Sequence, residues 1–414
     1  MASISPSGAV HSTTTPTSGG STKLAFALVT SLFFLWGFAI SMLDGLNKKV
    51  QNFLHISRAE SAWVQVVTFG AYFVMALPAG YFMKRYGYKK GILFGLLLYA
   101  AGGFLVYPAG EAESWTFFLV ALFILACGLA FLETAANPYV SVLGPRESSE
   151  QRLNLAQSFN GLGSITGPVI GAALLFAENS DSSIEAGFDS IQLPYIVVGT
   201  LVLLVAAIFY RTPLPEIQEE ALVADKTFHT GKSLFQHQHF VLGVLAQFLN
   251  VGAQGCIWGF FINYATEATH ITDQRASALQ SVAMLIFMIG RFVGTYLMRF
   301  FRPNVLLGWY SVAMVALLLI VWQEWGQFSL YALIAFFFFQ SITFPTIFAL
   351  GVKDLGHYTK QGSSYIIMGI VGGAVFPPLM GWLADTAGTP ASFLLPAAIF
   401  ALIGWYGFKG SQLK

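Results

Sequence analysis

Glu133 and Asn137 lie four residues apart in "FILACGLAFLETAANPYVSVLG" (123–144), a stretch that is otherwise almost wholly apolar. That spacing places both on one side of a helix. Asp44 is the other acid set within an apolar segment. A charged residue at the centre of a membrane helix costs about 2.5–3.5 kcal/mol on insertion scales, so it usually faces a cavity and marks a path for ions or substrate. A low-dielectric setting penalises the charged form of a carboxyl, which makes Asp44 and Glu133 candidates to bind and release a proton near neutral pH. The plainer readings are a structural hydrogen bond or a pairing with Arg291. For Asp44, near the outer end of its segment, an interfacial acid is a further alternative.

Neutral polar side chains form faces of their own. Gln157, Asn160 and Ser164 follow i, i+3, i+7 spacing, and so do Gln247, Asn250 and Gln254. Amides offer donors and acceptors, and a carboxylate can accept from two neighbouring hydroxyls. Rings such as Trp36 and Trp258 can cover the apolar face of a pyranose. This is the inventory that sugar recognition needs. The bland reading is polar glue between helices, worth about 0.6 kcal/mol per contact. Three such faces in one chain favour a cavity.

The elements that must position these residues are legible in composition. The 414 residues are 56% hydrophobic, 15% aromatic and 10% charged, against about 25% charged in soluble proteins. Apolar runs of about 20 residues predict twelve spans, at 24–46, 61–83, 90–108, 115–140, 154–176, 193–210, 239–265, 277–300, 304–322, 327–349, 362–384 and 391–409. The expected fold is an all-α membrane protein of twelve transmembrane helices in two six-helix bundles related by pseudo-twofold symmetry. Residues 1–22, rich in Ser, Thr, Pro and Gly, read as a disordered tail. Residues 23–210 form the first bundle, 211–238 a cytoplasmic linker, 239–409 the second bundle and 410–414 a short tail.

The halves resemble each other. "NPYVSVLG" (137–144) matches "FPTIFALG" (344–351) at an offset of 207, and Gln340 answers Glu133. Parallel six-span halves are a transporter plan with the site between them near the midplane. With both termini cytoplasmic, sixteen Lys and Arg fall inside and four outside, as the positive-inside rule expects. The basic loop "AGYFMKRYGYKKG" (79–91) is either such charge or a place where charge pairs hold a conformational state.

Other classes find little support. A net charge of +1 without a basic block argues against nucleic acid. Cys127 and Cys256 read as free thiols within apolar segments. His237 and His239 alone make a weak metal site, and no cofactor motif or nucleophile–base pair is present, so neither a cofactor nor an enzyme is expected. A non-transporting sugar sensor would be favoured by a large extra cytoplasmic domain, which is not evident here.

The stretches "SLFFLWGFAISMLD" (31–44), "FLETAANPYVSVLG" (131–144), "RLNLAQSFN" (152–160), "VGAQ" (251–254), "GRFVGT" (290–295), "FPTIFALGVKDLG" (344–356) and "GSSYIIMG" (362–369) occur in order along the chain. With them the sequence resembles the major facilitator superfamily and, within it, the fucose–proton symporter family of fucose and glucose/galactose permeases. The resemblance implies alternating access around a central sugar site and proton coupling through Asp44 and Glu133. It implies sugar contacts from Gln157 and Asn160, with Trp36 and Asn137 close by. Ile40, Ser41 and Leu43 depart from the asparagines of the fucose permease pattern, which implies altered hydroxyl recognition and leaves Ser41 as a candidate contact. "GPVIG" (167–171) also resembles a pattern of proton-coupled antiporters. The implied partners are a monosaccharide, protons (with sodium as the alternative) and the bilayer. The implied form is a functional monomer in the cytoplasmic membrane.

Overall fold

Among the described residues, twelve helical segments follow one another in the computed structural model. It describes the backbone of residues 19–53, 63–176, 189–215 and 233–413, and their side chains apart from 19–21, 39–40, 42–53, 65, 168–176 and 189–194. The segments are α1 (Gly19–Phe53), α2 (Trp63–Tyr86), α3 (Tyr88–Glu111), α4 (Trp115–Val142), α5 (Ser149–Phe176), α6 (Asp189–Arg211), α7 (Gln238–Thr269), α8 (Asp273–Leu297), α9 (Pro303–Trp322), α10 (Gln327–Val352), α11 (Gly356–Ala387) and α12 (Thr389–Gly410). Among the described residues, nine of them, α2–α4 and α7–α12, are long and apolar enough to cross a membrane. Helices α1 and α6 add the shorter apolar stretches Thr22–Phe38 and Tyr195–Arg211. The described side chains of α5, residues 149–167, are buried or half-buried. Large apolar side chains including Phe73, Leu204, Trp309 and Trp405 stand exposed on the outer surface, as a lipid-facing surface requires.

Several helices outrun the expected spans, since a span can continue past the hydrocarbon. Helix α8 begins a turn before residue 277 because Thr272 caps it, its hydroxyl accepting from Arg275 N at 3.4 Å. Helix α10 is interrupted at Ser341–Ile342. Pro345 has no N–H to offer the Ser341 carbonyl four residues back. Neighbouring groups satisfy the loosened turn: Ser341 Oγ donates to Phe338 O at 2.7 Å and Thr343 Oγ1 to Gln340 O at 2.8 Å.

Helices α1–α6 pack mainly on one another, as do α7–α12. The two sets meet through α2 with α11, α5 with α8 and α10, and α4 with α11. Their joint lies at the end bearing the α4–α5 and α10–α11 loops, where the first apolar core runs on into Phe348, Leu355 and Ile366.

Helix α1 crosses α5 closely enough to hold Trp36 beside the interior. A Cβ on Gly37 would collide with the Asn160 carbonyl, and one on Gly163 with the Phe34 carbonyl. Backbone cannot yield as a flexible side chain does. Gly37→Ala is therefore expected to destabilise the protein by about 2–3 kcal/mol, the upper range of overpacking. Thermal unfolding in detergent checks this, and a melting temperature equal to wild type would refute the crossing.

Candidate functional site

Helix α4 buries Glu133 and Asn137, at 8% and 0% exposure. The Tyr72 hydroxyl on α2 donates to Glu133 Oε1 at 3.5 Å, and the indole of Trp36 on α1 lies beside the same tyrosine. Glu133 Oε2 has no partner among the described residues. One turn on, Gln157 Nε2 donates to Asn137 Oδ1 at 3.0 Å, and Asn137 Nδ2 has no partner among the described residues. Helices α1, α2, α4 and α5 thus each bring polar groups to one buried cluster. An unsatisfied buried polar atom costs about 1–3 kcal/mol. Glu133 Oε2 and Asn137 Nδ2 are therefore atoms that would gain from a proton or a hydroxyl-bearing ligand.

The second half mirrors this arrangement in part. Gln340 stands in α10 where Glu133 stands in α4. Its Oε1 accepts from Trp258 Nε1 at 2.9 Å, and its Nε2 has no partner among the described residues. Both repeat-related residues are held by an aromatic donor through one atom, with the other atom free. Trp258 is fixed further by stacking on Phe337 and by Gln280, which donates to its carbonyl at 2.8 Å. Gln247 and Asn250 are fully buried, with both polar atoms of each amide unpaired among the described residues, while Gln254 is half-buried.

Other expected contacts are engaged elsewhere. Asn160 Nδ2 donates to Phe33 O at 3.2 Å and Ser164 Oγ to Gly37 O at 3.4 Å, so this part of the α5 face joins α5 to α1. Ser41 Oγ donates to Gly37 O at 2.9 Å within α1. Trp36 stacks on Phe33, with ring centroids 5.8 Å apart. Asp44 belongs to α1 by its backbone, but its side chain lies outside the described residues. Arg291 donates to the carbonyls of Ser341 and Gln157 rather than to Glu133.

The spacing in the sequence missed a second set of polar groups, which joins the bundles at the loop end. Glu150, Asn154 and Gln157, spaced i, i+4, i+7, make a buried polar stripe on α5. Lys353 Nζ lies 2.6 Å from Glu150 Oε1, and Arg146 Nη1 lies 3.3 Å from Asp354 Oδ1. Asn154 Nδ2 donates to Thr346 Oγ1 at 3.1 Å. His239 Nε2 hydrogen-bonds to the Lys353 carbonyl at 2.8 Å. A signal existed: "GPRE" (144–147) and "GVKD" (351–354) are repeat mates, so the two basic residues at offset 207 each pair with the opposite half. The basic loop after α2 acts differently. Lys89 donates to the carbonyls of Tyr210 and Thr212 at the end of α6, and Lys360 of α11 sits 4.8 Å from the Tyr88 ring centroid. A cavity of about 110 Å³ adjoins the ion pairs, lined by Arg146, Ser149, Lys353 and Asp354 among others. A larger apolar groove of about 290 Å³, lined by Phe73, Phe235 and Tyr365 among others, opens on the outer surface away from the polar cluster.

The sequence profile of the Major Facilitator Superfamily matches residues 24–369. The chain belongs to the Major Facilitator Superfamily. It is therefore a multi-pass membrane transporter and not an enzyme. Among superfamily members, the chain is 37% identical to a glucose/galactose transporter of Brucella abortus over 94% of both chains. It is 40% identical to the L-fucose-proton symporter of Escherichia coli, over 92% of this chain and 91% of that protein. A crystal structure of a superfamily transporter, FucP, in the outward conformation superposes with a TM-score of 0.86 at 39% identity, covering 95% of this chain and all of the other.

Proposed function

We propose that this chain is a secondary active transporter that carries a monosaccharide, a hexose or 6-deoxyhexose, together with protons by alternating access. The observation that carries the reading is Glu133: a buried carboxyl with one oxygen held by Tyr72, the other without a partner among the described residues, and the Asn137–Gln157 amides one turn away. A carboxyl can exchange a proton, and adjacent amides can exchange hydrogen bonds with sugar hydroxyls. Near-full-length likeness to glucose/galactose and L-fucose carriers supports this substrate class.

In this reading Glu133 takes up a proton, the sugar binds between the bundles, and the bundles rock. Asp44 shares the proton coupling. The substrate contacts are Trp36, Ser41, Glu133, Asn137, Gln157, Asn160, Gln247, Asn250, Gln254 and Trp258. The excess of Lys and Arg in one set of loops supports cytoplasmic termini, a 211–238 cytoplasmic linker between the bundles, and a cytoplasmic face at the ion-paired end. The described conformer is then closed inside. The functional unit is one chain.

Uptake by proteoliposomes of a panel of labelled hexoses, under an imposed pH gradient or an imposed sodium gradient, tests the reading. Uptake driven by sodium and indifferent to pH would sink proton coupling. Gln157→Leu is expected to raise the KM for sugar exchange about tenfold, because it removes one ligand amide and leaves Asn137 Oδ1 unpaired. An unchanged KM would remove Gln157 from the site.

A further inference from the structure

We propose that Arg291 is a positioning residue that ties the geometry around Gln157 to the closed state of the bundle interface; this rests on the sugar-site reading above. Arg291 stands on α8 at 5% exposure. Its Nε donates to Ser341 O at 2.8 Å and its Nη1 to Gln157 O at 2.6 Å. The first acceptor lies in α10 of its own bundle, and the second in α5 of the opposite bundle. Ser341 O is available because Pro345 has no N–H to offer it. The planar guanidinium fork can address two such acceptors at once, which a single ammonium does less well. The described ion pairs are Lys353–Glu150 and Arg146–Asp354, and neither involves Arg291. Two carbonyls and the Phe287 face, 4.7 Å away, stabilise this buried cation.

The consequence runs through Gln157. Its backbone is held by Arg291 while its side chain holds Asn137, one turn from Glu133. Gln157 lies seven residues beyond Glu150, about 10 Å deeper along α5. When the bundles part at the ion-paired end, Arg291 must leave with the C-terminal bundle. The α5 segment around Gln157 then loses its restraint. The site therefore differs between the two facing states, and a ligand can shift their balance only through such a difference.

Spin labels at the exposed positions Glu147 and Arg302, in a Cys127→Ala and Cys256→Ala background, report closure without any sugar. Arg291→Met is expected to cut the short-distance population by more than half and to raise the exchange KM about tenfold, with a smaller change in maximal rate, the size of one charge-assisted hydrogen bond. Arg291→Lys keeps the charge without the fork and should fall between. Pro345→Ala restores an N–H that competes for Ser341 O, so it should shift the distances the same way, by less, with Arg291 intact. If Arg291→Met does not fold, the other two variants decide. Wild-type distances and KM in the folded variants would overturn the proposal. Absence of sugar exchange in the wild type would overturn the functional reading alone, since the distances still report on Arg291.

Discussion

Glu133→Gln is expected to abolish proton-driven accumulation while leaving sugar exchange measurable. Glutamine has almost the same shape, and its Oε1 can still accept from the Tyr72 hydroxyl, so the pocket is kept. The site loses its capacity to bind and release a proton. A gradient of one pH unit supplies about 1.4 kcal/mol per proton, which sustains about tenfold accumulation at one proton per sugar. In the variant the ratio of internal to external sugar should fall to about one, because binding without protonation equilibrates the sugar and no more. Counterflow of labelled sugar, which needs no net proton movement, should persist. Gradient-driven accumulation equal to wild type would make Glu133 a structural group. Loss of both activities with intact folding would show that an amide cannot replace the carboxyl in its contact with the sugar.

Lys353→Met carries the second large effect. It leaves the Glu150 carboxylate, whose side chain is 1% exposed, without its cation 2.6 Å away. Removing one partner of a buried pair costs about 3–5 kcal/mol. Lys353 is 30% exposed, so solvent screening places the loss near the low end, about 3 kcal/mol. The strain is relieved when the loop end opens and Glu150 reaches water. Hydrogen exchange across residues 146–154 and 353–360 should therefore quicken by about two orders of magnitude. Glu150→Gln combined with Lys353→Met should recover most of the protection, since no buried charge is then stranded. Equal exchange in wild type and the single variant would show that the pair does not hold the bundles together.

The transmembrane plan was legible because lipid forces each span to satisfy its own backbone, so each span announces itself as a local apolar run. Glu133 was legible for the same reason, as a charge in a segment where charge is costly. Tyr72 was not. An aromatic residue in an apolar span carries no mark that distinguishes a hydrogen-bond partner from packing. Asn160 and Ser164 share a face with Gln157, yet they join α5 to α1. Helical spacing specifies which residues share a face, and not what that face meets.

The amino-acid sequence by itself determined the twelve spans, the repeat at offset 207 and the asymmetry between Glu133 and Gln340, because each is a property of local composition or of one half compared with the other. Only the tertiary structure decided the pairings that cross between helices. Glu150 meets Lys353 across 203 positions, and Arg291 meets the backbone carbonyls of Ser341 and Gln157. A backbone carbonyl is present at every residue and so leaves no trace in sequence. It becomes a specific partner only where Pro345 frees it and the packing of α8 against α5 and α10 brings a guanidinium within reach.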